Sequence, residues 1–159
     1  MLRLALFGLI ILAQPAQAAI KGCFTRTYDA AHLAKHKGQD VTFMALQIGF
    51  DTAPNATEDD GNILLMRFRG NTTLFLTTYV CVDRAGSTHC KSIDDAHNFA
   101  LGGSFVLTEK SGDILLTPET DLNLVEEGTF TLHVLHVANN PEHKVFKLRK
   151  LGKANCPVL

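Results

Sequence analysis

Two histidines have a spacing that can bind a metal ion. His32 and His36 are four residues apart in a segment predicted to be helical, so their rings lie on one helix face, and Asp29 precedes them by one turn. Two imidazoles at this spacing can hold zinc or copper. Leu33 stands where a metalloprotease motif has its catalytic glutamate, so the pattern predicts binding and not hydrolysis. The alternative is a solvated helix face on which neither histidine has a ligand.

A second pair of histidines does not have chelating geometry. His133 and His136 are three residues apart in a predicted strand, where side chains alternate between faces, so the two rings point to opposite sides of the sheet. The register places His136 on the inward face near the end of the strand. We therefore expect His136 to be a hydrogen-bonded core residue.

Basic residues are concentrated at the end of the chain. Residues 144–159 carry five lysines and arginines and no acidic residue. Lys147 and Arg149 are predicted to point outward from the last strand, and Arg67 and Arg69 to point outward from an earlier one. If the two strands are neighbours, these residues form a basic face for an anionic glycan, a lipid headgroup or an acidic protein. The alternative is that the lysines protect an edge strand from aggregation.

Catalytic patterns are weak. No serine stands in a nucleophile-elbow motif, and the sequence has no recognisable nucleotide, flavin or other cofactor motif. Paired carboxylates such as Asp94 and Asp95 fall in predicted loops, where they are typical of solvated turns. We therefore expect a binding protein without a cofactor, although the sequence does not exclude an enzyme whose site is assembled in space.

The four cysteines indicate two disulfide bonds. Cys81 and Cys90 flank a predicted hairpin, and a two-residue turn at Ala85 and Gly86 makes them a non-hydrogen-bonded pair within disulfide reach. A type I turn with a bulge is the alternative, and it shifts the register by one residue. By elimination Cys23 pairs with Cys156. Lipidation of Cys23 is possible from its position but leaves Cys156 without a partner.

The first 18 residues have the three parts of a secretory signal peptide. Arg3 gives a basic start, residues 4–13 are uninterruptedly apolar, and Ala16 and Ala18 form a cleavage signal. Cleavage after Ala18 leaves residues 19–159 as a single disulfide-bonded β-domain in the periplasm or outside the cell, with no integral membrane segment. Its 14 basic and 16 acidic residues lack the basic excess of a nucleic-acid binder.

Alternating apolar residues predict a mainly β fold. The predicted strands lie near residues 41–50, 62–69, 74–82, 105–109, 114–117, 129–137 and 144–151, and the hairpin that contains Cys81 adds a return arm around Cys90. One short N-terminal helix, capped by Thr27 or Asp29 and ended at Gly38, precedes them. Seven to eight strands of this kind form an antiparallel sandwich or a small barrel, and the pattern does not distinguish the two.

The start of the mature chain resembles a known group of sequences. Its Tyr28-Asp-Ala-Ala-His32-Leu-Ala-Lys-His36 core, within Cys23–Thr42, is similar to the start of small uncharacterised secreted proteins of alphaproteobacteria. The resemblance covers about twenty residues, and it implies export and a shared architecture but no activity. Periplasmic inhibitors of lysozyme and proteases share only the size, the compartment and the fold class.

The sequence thus predicts an exported binding domain that recognises an anionic or protein partner through its surface. A periplasmic copper- or zinc-binding protein that uses His32 and His36 is the first alternative. An inhibitor-like binder of a secreted hydrolase is the second.

Overall fold

Ten β-strands, one short helix and one 3₁₀ turn make up the described part of the chain. The computed structural model describes residues 20–49, 62–92, 102–126, 128–129 and 131–152. The predicted signal peptide and Cys156 lie outside these ranges. The strands are β1 Gly22–Thr27, β2 Val41–Ile48, β3 Ile63–Phe68, β4 Phe75–Arg84, β5 Ser87–Ser92, β6 Ser104–Lys110, β7 Asp113–Pro118, β8 Leu122–Glu126, β9 Leu132–Leu135 and β10 Phe146–Leu151. The helix α1 spans Ala30–Lys35, and the 3₁₀ turn spans Pro141–His143.

Eight of the strands close into an antiparallel barrel. Their order is β3-β2-β1-β10-β7-β6-β5-β4, and pairing between β3 and β4 closes the ring. The strands β8 and β9 lie between β7 and β10 in the sequence. They form a hairpin whose β8 strand pairs with the start of β4. The mainly β prediction is confirmed, and of its two alternatives the barrel is correct. The short helix lies between β1 and β2. It was expected before the sheet because β1 was not recognised in the sequence.

The barrel interior is filled by large side chains. Alternate residues of each strand point inward, and Met44, Tyr79, Phe105 and Phe146 are 0% exposed. Alternate apolar residues of β2, β3, β6 and β10 form the buried face of these strands. They are Met44, Leu46, Ile48, Leu64, Met66, Phe68, Phe105, Leu107, Phe146 and Leu148. An eight-stranded barrel is just wide enough for such side chains to fill it.

The predicted orientation of β9 is wrong. The alternation that places His136 on the inward face also places Leu132 and Val134 there, but Leu132 is 48% exposed and Leu135 is buried. The cause is the register of the β8–β9 hairpin, in which Leu135 pairs with Leu122 and His133 with Leu124. Paired residues share a face, and a shift of one residue reverses every side chain of a strand.

The β4–β5 hairpin has the predicted register and disulfide bond. Ala85 and Gly86 both have positive φ angles, 42° and 89°, as in the two-residue turns that match the twist of paired strands. Cys81 pairs with Cys90, and their sulfurs are bonded with Cα atoms 4.1 Å apart. Cys23 is buried and none of the described cysteines is a free thiol. Its pairing with Cys156 stays a prediction.

The two ends of the barrel are built differently. The end that carries the turn of β4–β5 and the turn of β6–β7 is called the hairpin end below. The opposite end carries α1, the 3₁₀ turn and the β8–β9 hairpin, and is called the helix end. Within the described ranges, no helix has the length and apolar character needed to cross a lipid bilayer.

Candidate functional site

Histidines are concentrated at the helix end. Of the chain's seven histidines, five lie there and only His89, on β5, lies elsewhere among the described residues. The five are His32, His36, His133, His136 and His143. They come from three separate segments of the chain, so the fold and not the local sequence brings them together.

Helix α1 is held by an arginine from β3. The Asp29 carboxylate accepts the His32 backbone N–H at 2.7 Å and caps the first turn. The helix has six residues and none of them is buried, so core packing contributes little. Instead Arg69 Nη2 donates to the carbonyl oxygens of Leu33 at 3.3 Å, His36 at 3.3 Å and Gln39 at 2.8 Å. The Leu33 bond satisfies a carbonyl that the end of a helix leaves without a partner, and the other two hold the C-cap residue His36 and the turn that follows it.

The rings of His32 and His36 stack on one another. Their centroids are 4.2 Å apart with planes 17° from parallel, and the Tyr28 ring lies 4.8 Å beyond His32. Burial raises the pKa of Tyr28, while the Arg26 guanidinium, 5.1 Å from its ring, opposes that rise. The tyrosine therefore stays a neutral platform for the histidine stack at physiological pH.

One nitrogen of His36 is already engaged. Its Nδ1 lies 2.9 Å from Glu142 Oε2, which joins α1 to the 3₁₀ turn. Across the parts of the chain that the structure describes, no three or more His, Cys, Asp or Glu side chains are arranged to hold a metal ion. The predicted site therefore has two imidazoles, one of which would have to bind through Nε2 or leave Glu142.

His143 joins three segments of the helix end and is buried there. The ring is 2% exposed; its Nδ1 lies 2.8 Å from the His136 carbonyl, and its Nε2 lies 3.3 Å from the Asp40 backbone N–H. A carbonyl only accepts and a backbone N–H only donates, so Nδ1 carries the proton and Nε2 accepts. Both ring nitrogens are thus satisfied inside the protein, and His143 is a structural residue.

Asn140 connects the 3₁₀ turn with the segment that follows α1. Its Nδ2 donates to the Gly38 carbonyl at 2.7 Å, and its Oδ1 accepts the Glu142 backbone N–H at 3.0 Å. A Cβ atom at Gly38 would lie 3.3 Å from Asn140 Oδ1 and 3.4 Å from Glu142 Cγ. Gly38 therefore permits the tight contact. Its prediction as the C′ residue of the helix is wrong, because α1 ends at Lys35 with His36 as its C-cap, and Gly38 does not have the positive φ of a C′ glycine.

His133 packs the β8–β9 hairpin against the barrel. Its ring centroid lies 3.8 Å from that of Phe68 and 5.0 Å from that of Phe75. Burial lowers the pKa of His133, nearby His136 lowers it further, and the Asp40 carboxylate opposes both. The imidazole is therefore neutral near pH 7 and acts as an aromatic core residue.

The prediction that His136 is a core residue is wrong. Its side chain is 75% exposed, because β9 ends one residue earlier and the inward face belongs to His133 and Leu135. Asp121 Oδ2 lies 2.8 Å from His136 Nδ1, and Asp121 Oδ1 accepts the Val137 N–H at 2.8 Å. The Val137 bond, and then the His136 bond, lower the pKa of Asp121. The carboxylate orients the ring and leaves its Nε2 toward solvent.

The predicted basic face is not continuous. The strands β3 and β10 are not neighbours, since β2 and β1 lie between them. Arg69 is bonded to the α1 carbonyls, Lys147 forms an ion pair with Asp113 at 3.1 Å, and the Arg67 guanidinium lies over the Phe43 ring. Arg69, Lys147 and Arg149 are exposed, whereas Arg67 is half-buried. Ring closure decides which strands are adjacent, and the alternation of side chains does not reveal it.

A serine–histidine contact at the hairpin end does not form a nucleophile. Ser87 Oγ lies 3.1 Å from His89 Nε2 and also donates to the Arg84 carbonyl at 3.1 Å. A hydroxyl has one proton. Since the carbonyl takes it, His89 is the donor in the other contact and is not placed to act as a base for Ser87.

Sequence reasoning missed β8, which pairs with the predicted strand β9, and the role of His143. Leu122 and Leu124 alternate with polar or smaller residues, which was the available signal for β8, and the Asn140-Pro141 pair was the signal for the turn that positions His143. No protein-family model, curated protein or solved structure matches this chain. Its function is therefore inferred from the chemistry of the helix end.

Proposed function

We propose that this protein is an exported binding domain that recognises another protein with the surface at the helix end and does not catalyse a reaction. The observation that carries the proposal is the filled interior, where the largest side chains, Tyr79, Phe105 and Phe146 among them, have no exposed area. Barrels that bind small ligands internally leave a cavity for them. A partner of this barrel therefore binds outside it.

The helix end has the composition expected of a contact surface. Leu132 and Val145, two of the three large apolar residues that are most exposed among those described, are 48% and 51% exposed and belong to segments at this end. Polar groups held in fixed orientations by the protein lie at the same end, including the imidazoles of His36 and His136. Apolar contacts with a polar rim are typical of protein interfaces.

Export is supported by the cysteines. The Cys81–Cys90 bond joins two strands of the barrel, and such bonds persist in oxidising compartments. The signal-peptide pattern of residues 1–18 points the same way. An inhibitor of a secreted hydrolase is one form of this function, and a copper or zinc carrier that uses His32 and His36 is the alternative.

Site-specific photo-crosslinking tests the proposal. A photoreactive phenylalanine analogue at Leu132 samples the helix end. The same analogue at Thr108, exposed on β6 toward the hairpin end, serves as a matched control. We expect one product of defined mass from the Leu132 position in cells that export the protein, and none from Thr108. Equal products at both positions, or products at Thr108 alone, would contradict the proposal.

A further inference from the structure

We propose that β9 accepts an extended segment of the partner as an additional strand, and that this segment combines apolar residues with lysine or arginine. The inference rests on the proposed function, since it names the mode and the chemical class of the partner. The ten-stranded sheet ends at β9, and among the described residues no strand pairs with the free edge of β9.

Hydrogen-bond alternation determines which backbone groups face this edge. In an antiparallel pair, residues alternate between those bonded to the partner strand and those whose N–H and C=O point away. The Glu126 N–H donates to the Thr131 carbonyl across the hairpin, so His133 and Leu135 are bonded to β8. Leu132 and Val134 therefore direct their backbone groups away from β8.

Contacts on both sides of the hairpin agree with this alternation. Asn123, which is paired with Val134, sends its N–H away from β9 to the Gly102 carbonyl at 2.9 Å. His136 continues the outward series, and its carbonyl accepts from His143. The open edge thus ends at His136, and within the described part of the chain no other strand pairs with the N–H and C=O groups of Leu132 and Val134.

The side chains add an apolar contact beside these groups. Leu132 and Val134 point away from the core, and Leu132 is paired with Val125 on the same outer face. An added strand places alternate side chains on that face, so the partner residue beside Leu132 is expected to be apolar. The backbone bonds supply affinity, and this position supplies selectivity.

The negative charge beside β8 and β9 determines the charge that we expect of the remaining partner residues. Asp121 directly precedes β8 and Glu126 ends it, and no lysine or arginine occurs in the sequence from residue 111 to residue 143. Bonds from Val137 and His136 lower the pKa of Asp121, and a bond from Thr129 lowers that of Glu126, so both stay ionised at physiological pH. A basic segment is attracted to this charge and an acidic one is repelled.

A pair of synthetic peptides tests the inference. The basic probe is a seven-residue peptide of alternating lysine and valine with blocked ends, and its control has glutamate in place of lysine. We expect binding of the basic peptide alone, with the largest NMR shifts at the Leu132 and Val134 amides, weakened by added salt. Equal binding of the acidic peptide, or shifts confined to other strands, would overturn the inference.

Leu132→Pro tests the backbone contribution. Proline removes the N–H that faces the open edge and leaves the β8–β9 ladder intact, since residue 132 does not bond to β8. We expect about a tenfold or greater loss of affinity for the basic peptide, whereas Leu132→Val keeps the N–H and changes affinity little. A basic peptide methylated on alternate backbone nitrogens makes the same test on the unaltered protein. Undiminished binding in both tests would exclude strand addition.

The two proposals can fail separately. Crosslinking through position 132 can identify a partner, and the Leu132→Pro variant can then be tested for capture of that partner. Unchanged capture would support the binding function and would contradict strand addition. A protein with no partner at the helix end would contradict both.

Discussion

The hairpin end and the helix end are closed by different kinds of interaction. At the hairpin end, β4–β5 and β6–β7 are joined by two-residue turns, and a covalent bond links Cys81 with Cys90, nine residues apart. At the helix end the main links are side-chain hydrogen bonds between distant segments: His36 with Glu142 and His143 with Asp40 are each more than 100 residues apart.

This difference has consequences for stability and function. A hairpin forms from neighbouring residues, whereas the helix end requires the whole barrel to bring its segments together. Regions with few buried apolar contacts open at lower free energy than the rest of a fold and commonly bind partners. The helix end has a six-residue helix without buried residues, and it is where we place the binding surface.

The strongest test of the contrast is His143→Ala. The change leaves the His136 carbonyl and the Asp40 N–H without their partner in a buried position, so we expect a loss of about 3 kcal/mol in the free energy of unfolding. Urea unfolding measures it. The matched variant is His89→Ala, which removes a local contact with Ser87 at the hairpin end, and we expect a loss of less than about 1 kcal/mol. Equal losses would remove the distinction between the ends.

Removing the disulfide bond tests the other end. For Cys81→Ala with Cys90→Ala we expect a loss of about 2–3 kcal/mol, because the unfolded chain regains the freedom of the closed loop. The helix end should be unaffected locally. Amide exchange at Asp40, whose N–H is bonded to His143, should therefore speed up only as much as global stability falls. Faster exchange than that at Asp40 would show that the two ends are coupled.

The same contrast explains which features were predictable from the sequence. In β10, Phe146 and Leu148 alternate with Lys147 and Arg149, and the Ala85-Gly86 turn fixes the register of β4 and β5. The segment Leu132–Leu135 is apolar at three of its four positions, so alternation does not reveal which face is inward. The contacts of the helix end depend on ring closure, and no local pattern specifies them.

Strand β1 was missed for a related reason. Gly22–Thr27 contains one large apolar residue, Phe24, among small and polar ones, and Arg26 lies on the same face as Phe24. The segment therefore lacks the clear period of a strand. Its pairing with β2 and β10 on either side holds it in place, which is a tertiary effect.

Arg69→Ala sharpens the comparison further. The guanidinium bonds three carbonyls at the end of α1, so we expect a loss of about 1.5 kcal/mol and reduced helical signal. Arg69→Lys should fall between, because an ammonium lacks the fixed fork of donors. Arg149→Ala, at an exposed position of β10, serves as the control and should change stability by less than about 0.5 kcal/mol. A similar loss of stability for Arg149→Ala would show that the effect of Arg69→Ala does not come from the bonds that Arg69 makes to these carbonyls.

The pH dependence of the helix end follows from His133. Because its folded pKa is lowered, the unfolded state binds more protons below the unperturbed value of about 6.5. Stability from this residue is thus complete above that pH and is lost as the pH falls toward the folded pKa. We expect the Tm of the protein to drop between pH 7 and pH 5 more than that of His133→Gln. Parallel curves for the two proteins would contradict the assignment.

The smallest expected effect concerns the metal alternative at His32 and His36. Structural zinc sites have four protein ligands and catalytic ones three, whereas the helix supplies two imidazoles, one of them bonded to Glu142. We therefore expect Zn²⁺ or Cu²⁺ to raise the Tm of the protein and of His32→Ala with His36→Ala by the same small amount. Glu142→Gln separates the two roles of His36. The substitution removes the carboxylate that bonds His36. If His36 is structural, helix α1 should become less stable. If His36 is a metal ligand, metal binding should persist. A rise in Tm that the double variant loses and Glu142→Gln keeps would make the helix end a metal site.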